Sequence, residues 1–401
     1  MGKHYVVVLF FSFSFAISVQ AARHTASADD DQLLQFSGGN LTRRDLAECA
    51  ANNVIDKCWR CKPDWDQNRQ ALGQCAAGFA KGTTGGSGGE AYIVTDPSDA
   101  DAANPAPGTL RAGVTQNKPI WITFEKDMVI ALTQELVITS DTTIDGRGAK
   151  VEITGASLTL YNVKNVIIHG LHIHDIKETP GGMIKNSDGP AGLRQKTDGD
   201  GICVTGSSKI WIDHCTLSKG PDGLIDVTLK STLVTISNCK FSHHHKVILL
   251  GADNAHAEDK AMQVTVAFNL FSEGCDQRMP RCRFGFFQVV NNNYEGWGTY
   301  AIGGSAAPTI LSQGNRFSAP PDPIKKNVLA RADAQEPEWK DWNWRTEKDL
   351  LLNGAVFLAS GVDPALTPEQ QELMIAAEPG ESVPQLTNAA GALSCVPGQP
   401  C

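Results

Sequence analysis

The chain has 401 residues, a formal net charge of −9 at pH 7, and 20% charged residues. This length allows one large domain or two modest ones with a sizeable hydrophobic core. The acidic balance and the lack of a basic tail exclude nonspecific binding to nucleic acid or to an anionic membrane surface. A polyanionic ligand therefore has to be met by a local basic cluster.

The first 21 residues have the pattern of an export signal. Lys3 and His4 precede the apolar run YVVVLFFSFSFAISV, and Val19 and Ala21 occupy the small-residue positions before a cleavage site. The run is too short for a membrane span, and no later stretch reaches about 18 apolar residues. We predict a soluble, secreted protein of the extracellular space or cell wall, in which Asn40 of NLT can carry a glycan.

Eleven cysteines fall into local groups, and the odd number leaves at least one thiol free. CWRC resembles a redox motif, but nothing around it suggests a βαβ unit, so structural disulfides are favoured. The candidates for terminal disulfides are Cys49, Cys58, Cys61, Cys75, Cys395 and Cys401.

A repeat of short alternating β segments runs through the middle of the chain. The residues that close these segments are Ile173, Leu217, Phe241, Phe271, Tyr294 and Phe317. Their separations of 44, 24, 30, 23 and 23 indicate coils of about 22 residues, with two coils in the first gap and a loop insertion in the third. Such a period is typical of a solenoid, in which each repeat buries its apolar face by stacking on its neighbours. The strand-rich pattern favours a parallel β-helix over a leucine-rich repeat or a propeller with four-stranded blades.

The ends of the solenoid set the expected domain boundaries. The open N-terminal end needs a cap, and residues 64–82 have helical spacing suited to that role. The tryptophan-rich segment EPEWKDWNWR and a short helix in TPEQQELMIAAEPG are expected to wrap back over the coils. We therefore predict a signal peptide at 1–21, a Cys-rich cap region at 22–85, a β-helix core at 86–320 and a wrapping segment at 321–401.

Stacking places equivalent positions of successive coils about 4.8 Å apart. Cys215 and Cys239 share such a position, so a disulfide between them is sterically reasonable. Cys203, in the apolar segment GICVTG, is then the expected unpaired and buried thiol.

Two pairs of aspartates lie about one coil apart. DGDGI contains Asp198 and Asp200 on one face of a strand, and DGLID contains Asp222 and Asp226. Four converging oxygen donors without His or Cys partners favour Ca²⁺ over Mg²⁺. Asp-Gly pairs are also common in turns, which is the structural alternative for each pair. The histidines at 243–245 and 169–174 lack zinc-site spacing and are interpreted as structural.

A basic cluster follows the aspartates in the chain. DQRMPRCRFG contains Arg278, Arg281 and Arg283, and Lys246 precedes the apolar strand VILLG. A solvated surface is the ordinary role of such residues. On coils beside bound cations, however, guanidinium groups suit the bidentate recognition of an acidic polysaccharide.

Several ordered motifs resemble those of the plant pectate lyases, from about residue 49 to the C-terminus: DGDGI, IWIDHCTLS, DGLID, HHHKVILLG, QRMPRCRFG, VVNNNYEGWGTYAIGGSA and PTILSQGNRF. The cysteine-rich start and the ending CVPGQPC resemble the ragweed-type pollen allergen branch. The resemblance implies an all-β, right-handed parallel β-helix that cleaves de-esterified homogalacturonan by Ca²⁺-dependent β-elimination, leaving 4,5-unsaturated oligogalacturonates. It also implies a monomer with pectate as its partner, and IgE if the protein is a pollen allergen.

The resemblance assigns metal ligands by motif. Asp200, Asp222 and Asp226 resemble the calcium ligands, and Asp198 would assist when substrate bridges a second ion. Asp213 and His214 of WIDH belong to a family signature, but they lie away from the aspartate cluster and are interpreted as structural.

The resemblance also assigns roles to the basic residues. Arg278 resembles the catalytic base, and Lys246 and Arg283 resemble the groups that hold the substrate carboxylate. Arg281 is then a bystander. Arginine side chains ordinarily keep their proton up to a pKa of about 12, so a base of this type predicts an alkaline optimum. Two positions depart from the family pattern, because His245 replaces the usual Asp and Phe284 replaces the usual His.

Two alternatives stay open at this point. A polygalacturonase on the same fold would need a pair of carboxylates that activate water, and its family's NTD, DD and GHG motifs are not found in the sequence. A pectin-binding allergen without catalysis would keep the carboxylates but yield no unsaturated product. The joint presence of Lys246, Arg278 and Arg283 favours the lyase.

Overall fold

The computed structural model of the protein describes Gly2, residues 49–186 and residues 189–401, and most of its regular structure is β-strand. The predicted export signal and the glycosylation candidate Asn40 lie outside the described residues. Among the described residues, no helix is both long enough and apolar enough to cross a membrane.

Three long parallel sheets contain almost all of the strands. Sheet 1 contains β1 (Glu90–Val94), β2 (Ile120–Phe124), β5 (Thr142–Asp145), β8 (Lys164–His169), β13 (Ser208–Asp213), β16 (Thr232–Ser237), β19 (Gln263–Ala267), β23 (Phe286–Val290), β26 (Thr309–Gln313) and β29 (Trp344–Glu347). Sheet 2 contains β4 (Leu136–Val137), β7 (Leu158–Tyr161), β12 (Ile202–Thr205), β15 (Gly223–Thr228), β18 (His244–Leu250), β21 (Cys275–Gln277), β22 (Arg281–Arg283), β25 (Ile302–Ser305) and β28 (Leu329–Arg331). Sheet 3 contains β3 (Met128–Ala131), β6 (Val151–Gly155), β9 (His172–Ile176), β14 (Thr216–Ser218), β17 (Lys240–Ser242), β20 (Leu270–Phe271), β24 (Asn293–Tyr294), β27 (Arg316–Ser318) and β30 (Leu350–Leu352).

The helices are short. The α-helices are α1 (Val54–Trp59), α2 (Leu110–Val114), α3 (Glu336–Trp339), α4 (Pro368–Leu373) and α5 (Val383–Leu386), and the 3₁₀ helices span Arg69–Gln74, Gly78–Ala80, Ala257–Ala261 and Gly380–Ser382. Most coils of the chain add one strand to each sheet, so the fold is a parallel β-helix, as the repeat predicted.

The closing residues of the repeat pair in register through sheet 3, which confirms the stacking. Phe241, Phe271, Tyr294 and Phe317 form a continuous stack inside the helix, with ring centroids 5.1, 4.7 and 4.5 Å apart. The division of the first gap into two coils is wrong, because Leu217 pairs directly with Ile173. That single coil is long because it contains an antiparallel hairpin, β10 (Gly182–Ile184) and β11 (Gly192–Arg194).

The predicted disulfide between Cys215 and Cys239 does not form. Both thiols are free and buried, and each Sγ points to a backbone carbonyl oxygen two residues earlier in its own chain segment, at 3.4 Å for Cys215 and 3.2 Å for Cys239. Stacking therefore brings the two positions together without forming a bond between them. The next coils fill the same position with Asn269, Asn292 and Asn315, which form a buried ladder of hydrogen bonds.

The cysteines at the two ends of the described chain are paired. The disulfides are Cys49–Cys61, Cys58–Cys75 and Cys395–Cys401. The free thiols are Cys203, Cys215, Cys239, Cys275 and Cys282. Cys203 is unpaired as expected, but the residue is partly exposed. Desolvation of its thiol by burial raises the pKa of Cys203 to about 12.

The N-terminal segment packs along the outer face of sheet 1 instead of covering the first coil. Residues 64–82 form 3₁₀ turns, and Ala80 donates its backbone N–H to Thr235 Oγ1 at 2.9 Å. Gly78, with a φ of +68°, allows this close approach, since a Cβ there would lie 2.7 Å from Thr265 Oγ1. The cap expected from these residues is therefore not confirmed. The helix that packs against the first strands is α2, through Leu110 and Val114.

The WIDH residues join α1 and the C-terminal segment to the coils. His214 is fully buried, and its Nε2 lies 2.8 Å from Asp56 Oδ1 of α1 while its Nδ1 lies 3.1 Å from the carbonyl oxygen of Gly391. Asp213 accepts hydrogen bonds from Ser237 and Asn238 of the next coil. These contacts agree with the structural interpretation of the motif.

Candidate active site

The candidate site lies on sheet 2, where neighbouring strands present the residues of separate motifs. Asp226 of β15 pairs in register with Leu249 of β18, which in turn pairs with Arg281 of β22. Lys246 pairs with Gly223 on one side and with Gln277 on the other. The parallel register therefore brings the aspartates, the lysine and the arginines to one side of the sheet.

Three of the four predicted metal ligands form a compact cluster. Asp198, Asp200 and Asp222 each offer a carboxylate oxygen, and these atoms all lie within 4.8 Å of one another. Asp200 is buried and accepts the backbone N–H of Gly223 at 2.7 Å. Asp198 is exposed and Asp222 is partly exposed, so the cluster opens to solvent on one side.

Gly223 lets the fourth aspartate approach the cluster. A Cβ on Gly223 would lie 2.3 Å from Asp226 Oδ1 and 2.7 Å from Asp200 Oδ1. Both carboxylates therefore converge on the backbone of β15 at a position that no larger residue can occupy without displacing them. The DGLID motif supplies this arrangement because a glycine lies between its two aspartates.

Burial and mutual repulsion raise the pKa of two of the aspartates. Burial, followed by repulsion from Asp198, raises the pKa of Asp200 to about 7. Burial and repulsion from Asp200 and Asp222 also raise the pKa of Asp226 well above its usual range. Clustered oxygen donors with raised pKa values fit a hard divalent cation, which would relieve their repulsion. The residues present therefore fit Ca²⁺.

Lys246 and His244 both contact the turn formed by residues 220–222. The Lys246 Nζ donates a hydrogen bond to Asp222 Oδ1. His244 contacts the carbonyl oxygen of Asp222 through Nε2 and the backbone N–H of Gly220 through Nδ1. Lys246 is thus next to the metal candidates, as the motif order suggested.

The arginines have different surroundings. Within residues 49–186 and 189–401, neither Arg278 nor Arg283 has a carboxylate oxygen within 4.0 Å, whereas Arg281 pairs with Asp333 at 3.3 Å. Arg283 Nη1 donates to the carbonyl oxygens of Gly251 and Ala252 at 2.8 and 2.9 Å. Burial, and then the charges of Arg281 and Arg278, lower the pKa of Arg283.

Arg278 lies beside the acidic cluster. It follows Gln277, the register partner of Lys246, and its positive charge acts on Asp226. Its Nε is buried without a hydrogen-bond partner. An arginine without a carboxylate partner at this place can meet an anionic ligand.

The two departures from the family pattern lie at the edges of the site. His245 is exposed and pairs with Asp276, and its Nε2 is 3.0 Å from the Gln277 amide. Phe284 lines a surface cavity of about 480 Å³ together with Lys260 and Ala306. Neither side chain contacts the carboxylate cluster.

The sequence pattern does not identify three residues that contact the candidate site residues. Gly223 lies in DGLID, where the pattern indicates only a turn. His244 was grouped with the structural histidines, and Asn254, which binds Arg283 Nε at 3.3 Å, carried no motif signal. Their partners lie about one coil away, so spacing within a single segment did not identify them.

Comparison with known proteins agrees with the fold and identifies the family. The family model described as "Pectate lyase" matches residues 65–337. "Pectate lyase 1" of Ambrosia artemisiifolia is 62% identical over 399 residues, covering 100% of this chain and 99% of that protein. The chain therefore belongs to the pectate lyase family.

Further relatives extend the comparison. "Pectate lyase" of Lilium longiflorum is 52% identical over 369 residues, covering 90% of this chain and 85% of that protein. The crystal structure of jun a 1, described as the major allergen from cedar pollen, has a TM-score of 0.83 and 45% identity, covering 85% of this chain and 100% of that one. A thermostable pectate lyase with 21% identity and a TM-score of 0.60, covering 79% of this chain and 96% of that one, supports the fold alone.

Proposed function

We propose that the protein is a secreted, Ca²⁺-dependent pectate lyase that cleaves de-esterified homogalacturonan by β-elimination. The observation that carries this proposal is the juxtaposition of a crowded aspartate cluster with Arg278 on one side of sheet 2. A cation on the aspartates and, beside it, guanidinium groups without a carboxylate partner among the described residues suit a chain of uronate carboxylates. Family membership supports the same reaction.

Each residue has a role in the proposed reaction. Asp200, Asp222 and Asp226 would hold Ca²⁺, and Asp198 would help to hold an ion shared with substrate. When bound, Ca²⁺ would supply positive charge that acidifies the C5 proton of the uronate and offsets the repulsion among the carboxylates. Arg283 would bind a substrate carboxylate through its guanidinium group.

The remaining steps concern the basic residues. Arg278 would accept the C5 proton, the C5–H electrons would form the C4–C5 double bond, and the C4–O bond would break. The departing oxygen would take a proton from solvent. Lys246 would help to stabilise the charge that develops next to the uronate carboxylate. A guanidinium has to lose its proton before it can act as a base, so this role is consistent with activity at alkaline pH.

The disulfides support the proposed export of the protein. Cys49–Cys61, Cys58–Cys75 and Cys395–Cys401 are the kind of bond that persists in an oxidising compartment. The apolar segment near the N-terminus supports a signal peptide in the same way.

The test is an assay of unsaturated product from polygalacturonate, measured by ultraviolet absorbance. We expect activity with Ca²⁺, loss of activity on chelation, recovery when Ca²⁺ is returned, and a loss of at least about 100-fold in Arg278→Ala. Arg345→Ala, which removes an arginine that pairs with Asp363 outside the site, is the control and should keep full activity. Chelator-resistant activity would contradict the calcium role, and substrate binding without unsaturated product at any pH would favour the pectin-binding alternative.

We also propose that the protein is a pollen allergen. The support is its 45% identity to jun a 1, described as the major allergen from cedar pollen. Binding of the folded protein by IgE from sera of pollen-sensitised donors tests this, with sera of unsensitised donors as the control. Equal signals from the two groups would contradict it.

A further inference from the structure

His244 has no role in the proposed reaction, but its imidazole contacts the turn that carries Asp222, a proposed metal ligand. His244 is 7% exposed and lies at the start of β18. Its Nδ1 faces the backbone N–H of Gly220 at 3.3 Å, and its Nε2 faces the carbonyl oxygen of Asp222 at 2.5 Å. The single ring therefore contacts both ends of the turn formed by residues 220–222.

The two partners fix the protonation of the ring. Nδ1 faces an N–H donor and has to accept, so the hydrogen lies on Nε2 and is donated to the carbonyl oxygen of Asp222. Neutral His244 satisfies one donor and one acceptor of a turn whose middle residue, Pro221, has no N–H. A cavity of about 210 Å³ borders the turn and residues 243–246, so water has access to these groups if the ring is removed.

The same turn packs against Gly199, in the segment that carries the other pair of aspartates. A Cβ on Gly199, the residue between Asp198 and Asp200, would lie 2.4 Å from Pro221 Cγ. Any shift of the turn therefore changes the spacing between Asp222 and the Asp198–Asp200 segment. The neighbouring histidines have no such position, because His243 and His245 are exposed and His245 pairs with Asp276.

We propose that His244 is a positioning residue for the metal centre, and that it fixes the 220–222 turn so that the Asp222 carboxylate faces Asp198 and Asp200. This inference rests on the proposed function, which provides the Ca²⁺ ligands. His244 does not contact the substrate or the ion in this role. It acts through the backbone of Asp222, as outer partners of metal ligands commonly do.

The test measures Ca²⁺ binding directly by titration calorimetry, without turnover, in the full-length protein. His244→Ala should raise the Kd for Ca²⁺ by about 10-fold, within the range for loss of an outer partner. His244→Gln, whose amide can donate to the Asp222 carbonyl, should recover part of the affinity. His243→Ala, at the exposed neighbouring histidine, should match the parent protein. At saturating Ca²⁺, His244→Ala should regain most of its activity on polygalacturonate.

Thermal unfolding without Ca²⁺ separates positioning from a general structural role. If His244→Ala unfolds at a lower temperature but keeps the parent's Kd, the inference is overturned. If His244→Ala does not fold, His244→Gln and His244→Asn take its place, and parent-like affinity in both overturns the inference. A parent that binds Ca²⁺ but makes no unsaturated product contradicts the proposed function alone, whereas a parent that binds no Ca²⁺ overturns both.

Discussion

Gly223 shows how one missing side chain allows the aspartate cluster to form. Its Cα faces Asp200 Oδ1 and Asp226 Oδ1, and its N–H donates to Asp200. The backbone thus takes part in the site both by leaving space and by binding one carboxylate.

Gly223→Ala should disrupt the proposed metal site more than the fold. The new methyl group would lie 2.3 Å from Asp226 Oδ1 and 2.7 Å from Asp200 Oδ1, so at least one carboxylate has to move. We expect the Kd for Ca²⁺ to rise by at least about 5-fold, in line with a cost of roughly 1–3 kcal/mol for overpacking. Calorimetric titration measures this, and the melting temperature without Ca²⁺ is the control. Unchanged Ca²⁺ affinity would mean that the two carboxylates are not both ligands.

The sequence predicts part of this site and misses part of it for a physical reason. Asp198 and Asp200 share a strand face and Asp222 lies about one coil later, so strand alternation and coil length bring them together. The roles of Gly223 and His244 depend on how a turn packs against its neighbours. No periodicity in the chain carries that information.

At the scale of elements, α1, the coils and the C-terminal segment meet at a buried charged network. His214 faces Asp56 through one ring nitrogen and the Gly391 carbonyl through the other, so both nitrogens have acceptors and the ring is an imidazolium. Asn53 at the start of α1 donates to Asn238 of the coils and to Leu386 of α5. The network therefore fastens two chain segments to sheet 1.

The network predicts a pH dependence of stability. Burial lowers the pKa of His214, but the charges of Asp213 and Asp56 outweigh this and the opposing charge of Arg60, so the pKa is raised above 6.5. A raised folded-state pKa means that the stabilisation is fully present below pH 6.5 and is lost as pH rises through the raised value. Burial lowers the pKa of the neighbouring His169. The contribution of His169 to the free energy of unfolding therefore changes only below pH 6.5.

His214→Gln should therefore lower the free energy of unfolding most near pH 6.5, by roughly 3–5 kcal/mol, because it removes the positive charge that faces the buried carboxylates of Asp56 and Asp213. The difference from the parent should shrink as the pH rises above 6.5 and through the raised pKa of His214, because the parent then loses its own imidazolium. Urea unfolding followed by tryptophan fluorescence measures both values, and the exposed His243→Gln is the control. A difference that stays constant over this pH range would contradict the charged state of His214.

The elements themselves were predictable to different degrees. The closing aromatic residues gave the coil period because stacking requires similar side chains at one position in successive coils. The 44 residues between Ile173 and Leu217 have the length of two coils but form only one. The extra length is the β10–β11 hairpin, which coil spacing alone does not distinguish from a second coil. The segment 64–82 has helical spacing, but its apolar residues pack on sheet 1, where the pattern alone does not distinguish a cap from a covering layer.

At the scale of the whole molecule, an acidic protein presents a locally basic surface beside a cluster of carboxylates. The net charge is −9, yet Arg278 and Arg283 have no carboxylate partner in the described ranges 49–186 and 189–401. The three arginines of DQRMPRCRFG are unequal, since Arg281 pairs with Asp333. The parallel β-helix makes this possible because its register brings residues from separate coils to one side of sheet 2.

The masses of the products test most directly whether this surface of sheet 2 performs elimination. The protein is incubated with a defined oligogalacturonate and Ca²⁺, and the products are analysed by mass spectrometry. Elimination predicts that one product of each cleavage is lighter by one water than the corresponding saturated oligogalacturonate. Pairs of saturated products, whose masses together include one added water, would contradict the account and indicate hydrolysis.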